Sequence, residues 1–233
     1  KDMKRLIAYS SVSHLGFVML GLFALNPMGI QGAVLQMVNH GLSTGALFLL
    51  VGMIYERRHS RMIADYGGLW EEVPVYSRIF LVVALSSIGL PGLNGFVGEL
   101  LTLMGTFTSA WVQAQLWAIL GCLGVIISAC YLLWMYKRVF YGEPKPHRDG
   151  PMKDINTIEA TAAVMLLAGI VWLGVYPAPV LRGIKPAAVA VVNRFEVSRG
   201  NVPRTKPFAD LAPDVAPLGG TELPAVLSED DEQ

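Results

Sequence analysis

Charged side chains are scarce in this sequence. Of its 233 residues, 15% are Asp, Glu, Lys or Arg and 53% are hydrophobic, and the mean hydropathy is +0.48. Soluble domains carry about 25% charged residues, so the composition excludes an ordinary soluble domain. The 18 basic and 18 acidic residues cancel and favour no charged partner. We predict contact with the lipid bilayer and none with nucleic acid.

Cysteines and cofactor motifs are also nearly absent. Cys122 and Cys130 are the only cysteines, and eight residues of helix would separate them by about 12 Å, too far for a disulfide. We interpret them as small buried hydrophobic residues. The sequence has no cysteine cluster for an iron–sulfur centre, no metal-ligand spacing and no phosphate-binding loop. The chain is therefore predicted to hold no redox centre, metal or cofactor of its own.

Long apolar runs are what the sequence does contain. Five of them are long enough to cross a bilayer, at about 6–25, 28–55, 77–109, 112–140 and 157–176. They predict an all-α membrane protein of about five transmembrane helices, forming one bundle over residues 1–176. Polar side chains in the middle of the first run argue against a cleavable signal peptide. Because Lys1 reads as part of a loop, we expect the chain to belong to a longer protein.

The basic residues are distributed unevenly among the predicted loops. They lie before the first span, between the second and third, and after the fourth, at Lys1, Lys4, Arg5, Arg57, Arg58, Arg61, Arg78, Lys137, Arg138, Lys145, Arg148 and Lys153. The loops at 26–28 and 109–115 carry none. This positive-inside pattern predicts a cytoplasmic amino-terminal end and a tail on the outside. We assign the protein to a bacterial inner (plasma) membrane.

The residues after the last span have a different composition. Residues 177–199 are interrupted by Pro186, and we expect an amphipathic helix over 187–197 on the outer membrane surface. Residues 200–233 are rich in proline, glycine and acidic residues. Such a composition cannot bury a core, so this segment is predicted to be a disordered acidic tail.

One acidic side chain stands alone in the third apolar run. From Ile79 to Trp111 the only ionisable residue is Glu99, and burying a carboxyl group in hydrocarbon costs roughly 2.5–3.5 kcal/mol or more. Glycine and proline residues, which favour two half-helices over one continuous helix, lie just before it, at Gly89, Pro91, Gly92 and Gly95. Broken helices at membrane depth occur where protein or a watery cavity surrounds them. The combination indicates an ion or proton pathway.

Two histidines lie at a similar depth in the preceding spans. His14 follows Arg5 by nine residues, which places it about 14 Å into the membrane, and His40 is near the middle of the second span. Imidazoles exchange protons near neutral pH, and burial moves carboxyl groups toward the same range. Glu99, His40 and His14 are therefore the candidate proton-relay residues. Side chains suited to hold bridging water are Ser10, Ser11, Ser13, Gln36, Asn39, Ser43, Thr44, Asn94 and Thr102.

Each candidate also has a purely structural interpretation. His14 can serve only to hydrogen-bond neighbouring helices, and Glu99 can serve only as one half of an ion pair. Other acidic residues fit structural roles directly. Glu159 with Asn156 matches a helix-capping arrangement, and Glu56 beside two arginines matches a surface salt bridge.

Four segments resemble one known family. They are KRLIAYSSVSHLGF (4–17), VNHGLSTGALFLLVGMIYERRHSR (38–61), GGLW (67–70) and GLPGLNGFVGE (89–99). In this order they are similar to the antiporter-like membrane subunits of respiratory complex I, NADH–quinone oxidoreductase. The M-type (chain 4 type) subunits of that family carry a glutamate in their second broken helix, where L-type and N-type relatives carry a lysine. Glu99 therefore indicates the M-type.

The resemblance implies a fold and a function. The family contains two inverted five-helix repeats, and this chain corresponds to the C-terminal part and most of the second repeat. His14 and His40 match histidines of the central polar axis, and Glu99 matches the acid that links this axis to a neighbouring subunit or to the outer exit. The implied enzyme is a translocase whose proton pumping is coupled to NADH–quinone electron transfer. NADH, flavin, iron–sulfur clusters and quinone then belong to partner subunits, and other antiporter-like subunits are the neighbours.

Two other functions stay open from the sequence. A subunit of a cation/proton antiporter complex, or of a proton-pumping membrane hydrogenase, has the same broken helix. A structural scaffold would hold neighbouring subunits without moving protons. In that last case, neutralising His40 and Glu99 would leave pumping intact.

Overall fold

The computed structural model describes residues 2–145 and 150–200, which are mostly helical. The α-helices are α1 (Met3–Phe23), α2 (Pro27–Arg58), α3 (Leu69–Glu72), α4 (Pro74–Ile88), α5 (Asn94–Phe107), α6 (Ala114–Phe140), α7 (Thr157–Val175) and α8 (Ala178–Ser198). A 3₁₀ turn covers Ile63–Asp65. Except for Gly200, the predicted acidic tail lies outside the described residues.

The predicted all-α membrane architecture with a broken third span is confirmed. Helices α1, α2, α6 and α7 are each long and apolar enough to cross a membrane. The third predicted span contains two shorter helices, α4 with 15 residues and α5 with 14. At 1.5 Å per residue each is only about 21–23 Å long. Neither half-helix alone is long enough to cross a hydrocarbon core of about 30 Å, whereas the two in succession are.

Residues 89–93 produce the break between the half-helices. Gly89 ends α4 in the left-handed conformation, with φ of +84°, and its N–H donates to the carbonyl of Ser86 at 3.2 Å. Pro91 has no N–H with which to continue the first helix. Leu93 is extended, with φ of −113° and ψ of 158°, and α5 starts directly after it. The break therefore follows from backbone preferences that oppose one continuous helix.

The antiparallel helices give the bundle two distinct ends. One, named here the basic end, contains Arg57 and Arg58 at the end of α2, together with Arg61. There the backbone N–H of Met3 donates to the carbonyl of Arg61 at 2.9 Å, which joins the start of α1 to the loop after α2. At the opposite end, the Ser109 hydroxyl after α5 donates to the carbonyl of Ala24 after α1, also at 2.9 Å.

Helix α8 is longer than the sequence predicts. It covers Ala178–Ser198 instead of 187–197 and continues through Pro186, which the sequence interpretation treats as an interruption. A proline removes one backbone donor and opposes the preceding turn, yet here the helix persists on both sides of it. Helix α8 begins at the opposite end, directly after α7, and packs against α2.

Helix α2 is the centre of the bundle and packs against α1, α4, α5, α7 and α8. Two glycines allow α2 and α5 to approach closely. A Cβ atom at Gly32 would collide with the backbone of Thr102, and one at Gly105 would collide with the backbone of Gly29. Small residues at helix contacts are typical of membrane bundles, where close backbone packing replaces the hydrophobic effect. This contact places the second half-helix, and Glu99 with it, against α2.

An ion pair at the basic end joins α2 to α7. The Arg57 guanidinium donates to both carboxylate oxygens of Glu159, at 2.9 and 2.6 Å, and the two side chains are only 21% and 16% exposed. Glu159 and Asn156 also form the predicted capping box at the start of α7, which is confirmed. The expected salt bridge of Glu56 with its two neighbouring arginines is wrong, because Arg57 pairs with Glu159 and Arg58 pairs with Glu72 instead.

Arg57→Met is expected to destabilise the bundle, because it leaves Glu159 largely buried without its partner. Charge-assisted hydrogen bonds of this kind contribute about 1.5–3 kcal/mol. The measurement is the midpoint of thermal unfolding of the detergent-solubilised protein. Arg61→Met is the control, since the Arg61 side chain is 47% exposed and lies 3.8 Å from Asp2. Equal shifts in both variants would contradict a special role for the Arg57 pair.

The prediction that the two cysteines are buried is wrong. Cys122 and Cys130 are both free thiols and both exposed. They lie on α6, whose outward face also exposes large apolar side chains, including Leu123, Ile126 and Ile127. In a membrane helix, an apolar residue is equally suited to lipid and to the protein interior. Hydrophobicity alone therefore does not show which face of α6 turns inward.

Candidate functional site

Three titratable side chains from three helices meet inside the bundle. The rings of His14 on α1 and His40 on α2 have centroids 5.1 Å apart, with planes inclined by 37°. Nδ1 of His14 lies 3.5 Å from Oε1 of Glu99 on α5. The structure therefore brings together all three relay candidates predicted from the sequence, with His14 in contact with both of the others.

The acidic end of this row is more deeply buried than its other end. Only 3% of His14 and 5% of Glu99 is exposed, whereas His40 is half-buried. The 3.5 Å separation is an ion-pair distance, and within the described residues Nδ1 of His14 makes no hydrogen bond. Burial excludes most water from around the two groups, so the electrostatic interaction between them is strong.

Each imidazole also contacts a hydroxyl group. Thr44 Oγ1 lies 2.9 Å from Nδ1 of His40, one turn further along α2. Ser87 Oγ lies 3.3 Å from Nε2 of His14. A hydroxyl both donates and accepts, so it can serve either tautomer of the ring. Thr44 is among the polar residues selected from the sequence, whereas Ser87 is not, although its position two residues before Gly89 is a usable signal.

Two glycines give the Glu99 carboxylate its space. Its Oε2 lies so close to Gly89 that a Cβ there would collide with it, and a Cβ at Gly98 would collide with Oε1 of Gln36. The amide of Gln36 in turn approaches Oε1 of Glu99, with Nε2 at 3.5 Å. Gly89 therefore has two effects at once, because it ends the first half-helix and admits the carboxylate of the second.

A side-chain network fixes the start of α5 against α2. Nδ2 of Asn39 donates to the carbonyl of Asn94 at 2.6 Å, and Nδ2 of Asn94 donates to the carbonyl of Asn39 at 3.3 Å. The hydroxyls of Ser43, at 3.1 Å, and Ser86 both donate to Oδ1 of Asn94. These bonds tie Asn94, the first residue of α5, to α2 and to the last turn of α4. They hold the half-helix in register, so the height of Glu99 relative to the histidines is set.

A tyrosine missed by the sequence interpretation lies beside this row. The Tyr131 hydroxyl on α6 is 2.8 Å from Ser128 Oγ, and it also interacts with the Ser10 hydroxyl on α1. Ser10 precedes His14 by one helical turn, so both face the same side of α1. A lone tyrosine in an apolar run gives little signal in a sequence, since most such residues simply pack.

The arrangement is suited to exchanging protons between neighbouring groups. One carboxyl and two imidazole groups can each bind and release a proton, and the hydroxyls beside them can relay it. Within the described residues, no group of three or more His, Cys, Asp or Glu is arranged to hold a metal ion.

Comparison with known proteins places the chain in a family. The family profile for NADH:quinone oxidoreductase/Mrp antiporter transmembrane proteins matches residues 1–128. NADH-quinone oxidoreductase subunit M of Rhodobacter capsulatus is 45% identical over 203 residues, covering 87% of this chain and 39% of that protein. NADH-ubiquinone oxidoreductase chain 4 of Marchantia polymorpha is 44% identical over 176 residues, covering 76% of this chain and 35% of that protein.

Solved structures agree with the sequence comparison. A chain of respiratory complex I from Thermus thermophilus with bound NADH superposes with a TM-score of 0.76 at 36% sequence identity, covering 83% of this chain and 40% of that one. The chain thus spans well under half the length of the relatives it matches. These similarities confirm the resemblance predicted from the sequence motifs. The chain belongs to the NADH:quinone oxidoreductase/Mrp antiporter transmembrane family, and its relatives reported above are M-type (chain 4 type) subunits.

Proposed function

We propose that this chain is the relay-bearing part of a proton-translocating subunit in a membrane NADH–quinone oxidoreductase. Electron transfer takes place in other subunits, which hold the NADH, flavin, iron–sulfur clusters and quinone. Other antiporter-like membrane subunits are the neighbours of this one. The observation that carries the proposal is the buried contact between His14 and Glu99, with His40 beside it, at the break of a membrane helix.

Burial makes the proton count of the row sensitive to charge. When Glu99 is ionised, its field favours a proton on His14, 3.5 Å away. When Glu99 takes up a proton, that attraction is lost, and the proton on His14 is more easily passed to His40. A change of charge at one end of the row is thus converted into movement of a proton at the other. Coupling to electron transfer then requires only a partner subunit that changes the charge near one end.

Unsatisfied polar atoms support transport over a static role. Oε1 of Gln36 and Oδ1 of Asn39 are buried and make no hydrogen bond in the described structure. Buried polar groups in a purely structural network are almost always paired. Unpaired acceptors beside a titratable pair are typical of a site where protons or water pass.

The basic residues at one end of the bundle give the orientation of the chain in the membrane. The basic end carries Arg57, Arg58 and Arg61, and the positive-inside rule assigns such an end to the cytoplasm. Protons then leave toward the end where α8 lies. A cation/proton antiporter role is the second candidate, because the matching family profile covers both classes. Sodium-dependent pH changes in vesicles, without redox partners, would favour the antiporter.

His40→Gln in the complete subunit is expected to lower proton pumping per NADH oxidised by roughly tenfold or more, since a lost proton-transfer group typically costs 10²–10⁴ in the step it serves. Pumping is measured as pH change inside membrane vesicles driven by NADH. His59→Asn is the control, because His59 is exposed and its φ of 51° suits asparagine. Unchanged pumping in an assembled His40→Gln protein would support a scaffold instead.

A further inference from the structure

A second feature, distant from the relay, is an apolar cavity at the end of the bundle opposite the basic end. Its volume is about 370 Å³. Its walls come from the last turns of α1, the end of α5 and the first turn of α6, and include Met19, Leu20, Phe23, Trp111 and Trp117. Among the described residues, no acidic or basic side chain lines it.

The position of the cavity along the helices corresponds to a membrane interface. Gly16, its most deeply placed lining residue on α1, precedes Phe23 at the end of the helix by seven residues. That is about 10 Å of helix. Two tryptophans lie beside it, and indole rings concentrate at the level of lipid headgroups. The cavity is therefore at the depth of the upper part of an acyl chain, not at the bilayer centre.

A cation stands at the edge of this cavity. The guanidinium of Arg199, directly after α8, is 6.0 Å from the ring of Trp111 and 5.4 Å from that of Phe195. Helix α8 starts after α7 and so crosses the end of the bundle to bring this charge to the loop between α5 and α6. Arg199 is exposed, and a guanidinium held on aromatic faces keeps its in-plane donors available for an anion.

We infer that the cavity binds one anionic phospholipid, with an acyl chain between α1 and α6 and the phosphate on Arg199. An apolar space that opens beside a cation at headgroup depth matches the two parts of such a molecule. A zwitterionic lipid would bring a second positive charge near Arg199, and a neutral molecule would offer the guanidinium no negative charge. The inference concerns lipid recognition and does not depend on proton transfer through the relay.

The test uses the complete protein purified with its membrane partners. Detergent exchange first removes loosely held lipid, and the protein is then mixed with micelles that contain phosphatidylglycerol or phosphatidylcholine. Retained lipid is quantified by mass spectrometry. Arg199→Ala removes the cation, and Arg194→Ala is its control, because Arg194 is also exposed on α8. Gly16→Leu fills the cavity, since a Cβ there meets nothing within 4 Å, and Gly52→Leu on α2 is equally unhindered and serves as its control.

Wild-type protein, Arg194→Ala and Gly52→Leu are expected to retain phosphatidylglycerol. Arg199→Ala should bind it roughly fivefold more weakly, the effect typical of one cation at an anionic lipid surface. Gly16→Leu should lose it altogether. Equal losses in both arginine variants would show diffuse attraction and overturn the proposal. Equal retention of both lipids would overturn it as well, as would crosslinking of Gly16→Cys to a protein segment that occupies the cavity.

Discussion

Glu99→Gln in the complete subunit is expected to reduce NADH-driven proton pumping at least about tenfold while the protein still assembles. Glutamine keeps the size of the side chain and can still accept a hydrogen bond from the amide of Gln36. It cannot bind and release a proton, so the contact with His14 loses its acidic partner. The residue is only 5% exposed, which leaves little room for water to take its place.

Two further variants separate charge from position. Glu99→Asp keeps a titratable group and should retain more pumping than the glutamine variant, although its shorter side chain lengthens the contact with His14. Glu71→Gln is the control for loss of one acid, because Glu71 is exposed on the short helix α3. Pumping is measured in vesicles, and assembly by co-purification of the redox subunits. Full pumping in an assembled Glu99→Gln protein would exclude this residue from the relay.

A purely structural pair predicts a different result. If Glu99 served only to hold α5 against α1 through His14, then neutralising either partner would lower the thermal midpoint, and the double variant would cost little more than a single one. Pumping per NADH would stay unchanged in whatever protein assembled. A loss of pumping without a matching loss of thermal stability therefore distinguishes the relay from the clamp.

Most of the fold could be predicted from the sequence, because two physical constraints depend only on short stretches of the chain. A bilayer sets the length of apolar runs, and glycine with proline opposes a helix wherever they cluster. Gly89 and Pro91 therefore mark the break without any knowledge of tertiary contacts. The extent of α8 was not accessible in the same way, since the sequence interpretation began the helix after Pro186, whereas the structure begins it at Ala178 and carries it through Pro186.

The depth of the site in the membrane could be predicted from the sequence, but its side-chain contacts could not. Counting residues from Arg5 gives the height of His14 in the membrane, and that is enough to expect it near Glu99. Which faces of the helices turn toward each other depends on packing, here the close glycine contacts between α2 and α5. Ser87 and Tyr131 were missed for that reason. The apolar pattern does not distinguish lipid-facing from inward-facing positions, as the exposed cysteines of α6 also show.

The two glycines at the break provide a second, independent test of the relay. Gly89 has φ of +84° and Gly92 has φ of +91°, so an alanine at either position costs about 1–2 kcal/mol of backbone strain. Their surroundings differ. A Cβ at Gly89 would collide with the carboxylate of Glu99, whereas a Cβ at Gly92 meets nothing within 4 Å. The two substitutions thus share the strain, and only one of them displaces the acid.

Gly89→Ala is accordingly expected to lower proton pumping by about as much as Glu99→Gln, because a displaced carboxylate loses its 3.5 Å contact with His14. Gly92→Ala should lower the thermal midpoint by a similar amount and leave most of the pumping intact. Both quantities are measured on the same vesicle and detergent preparations. Equal losses of pumping in the two variants would mean that flexibility of the break, and not the position of Glu99, limits transport. A selective loss in Gly89→Ala would show that the break exists to admit the acid, since proton transfer depends on contacts that a shift of about 1 Å can abolish.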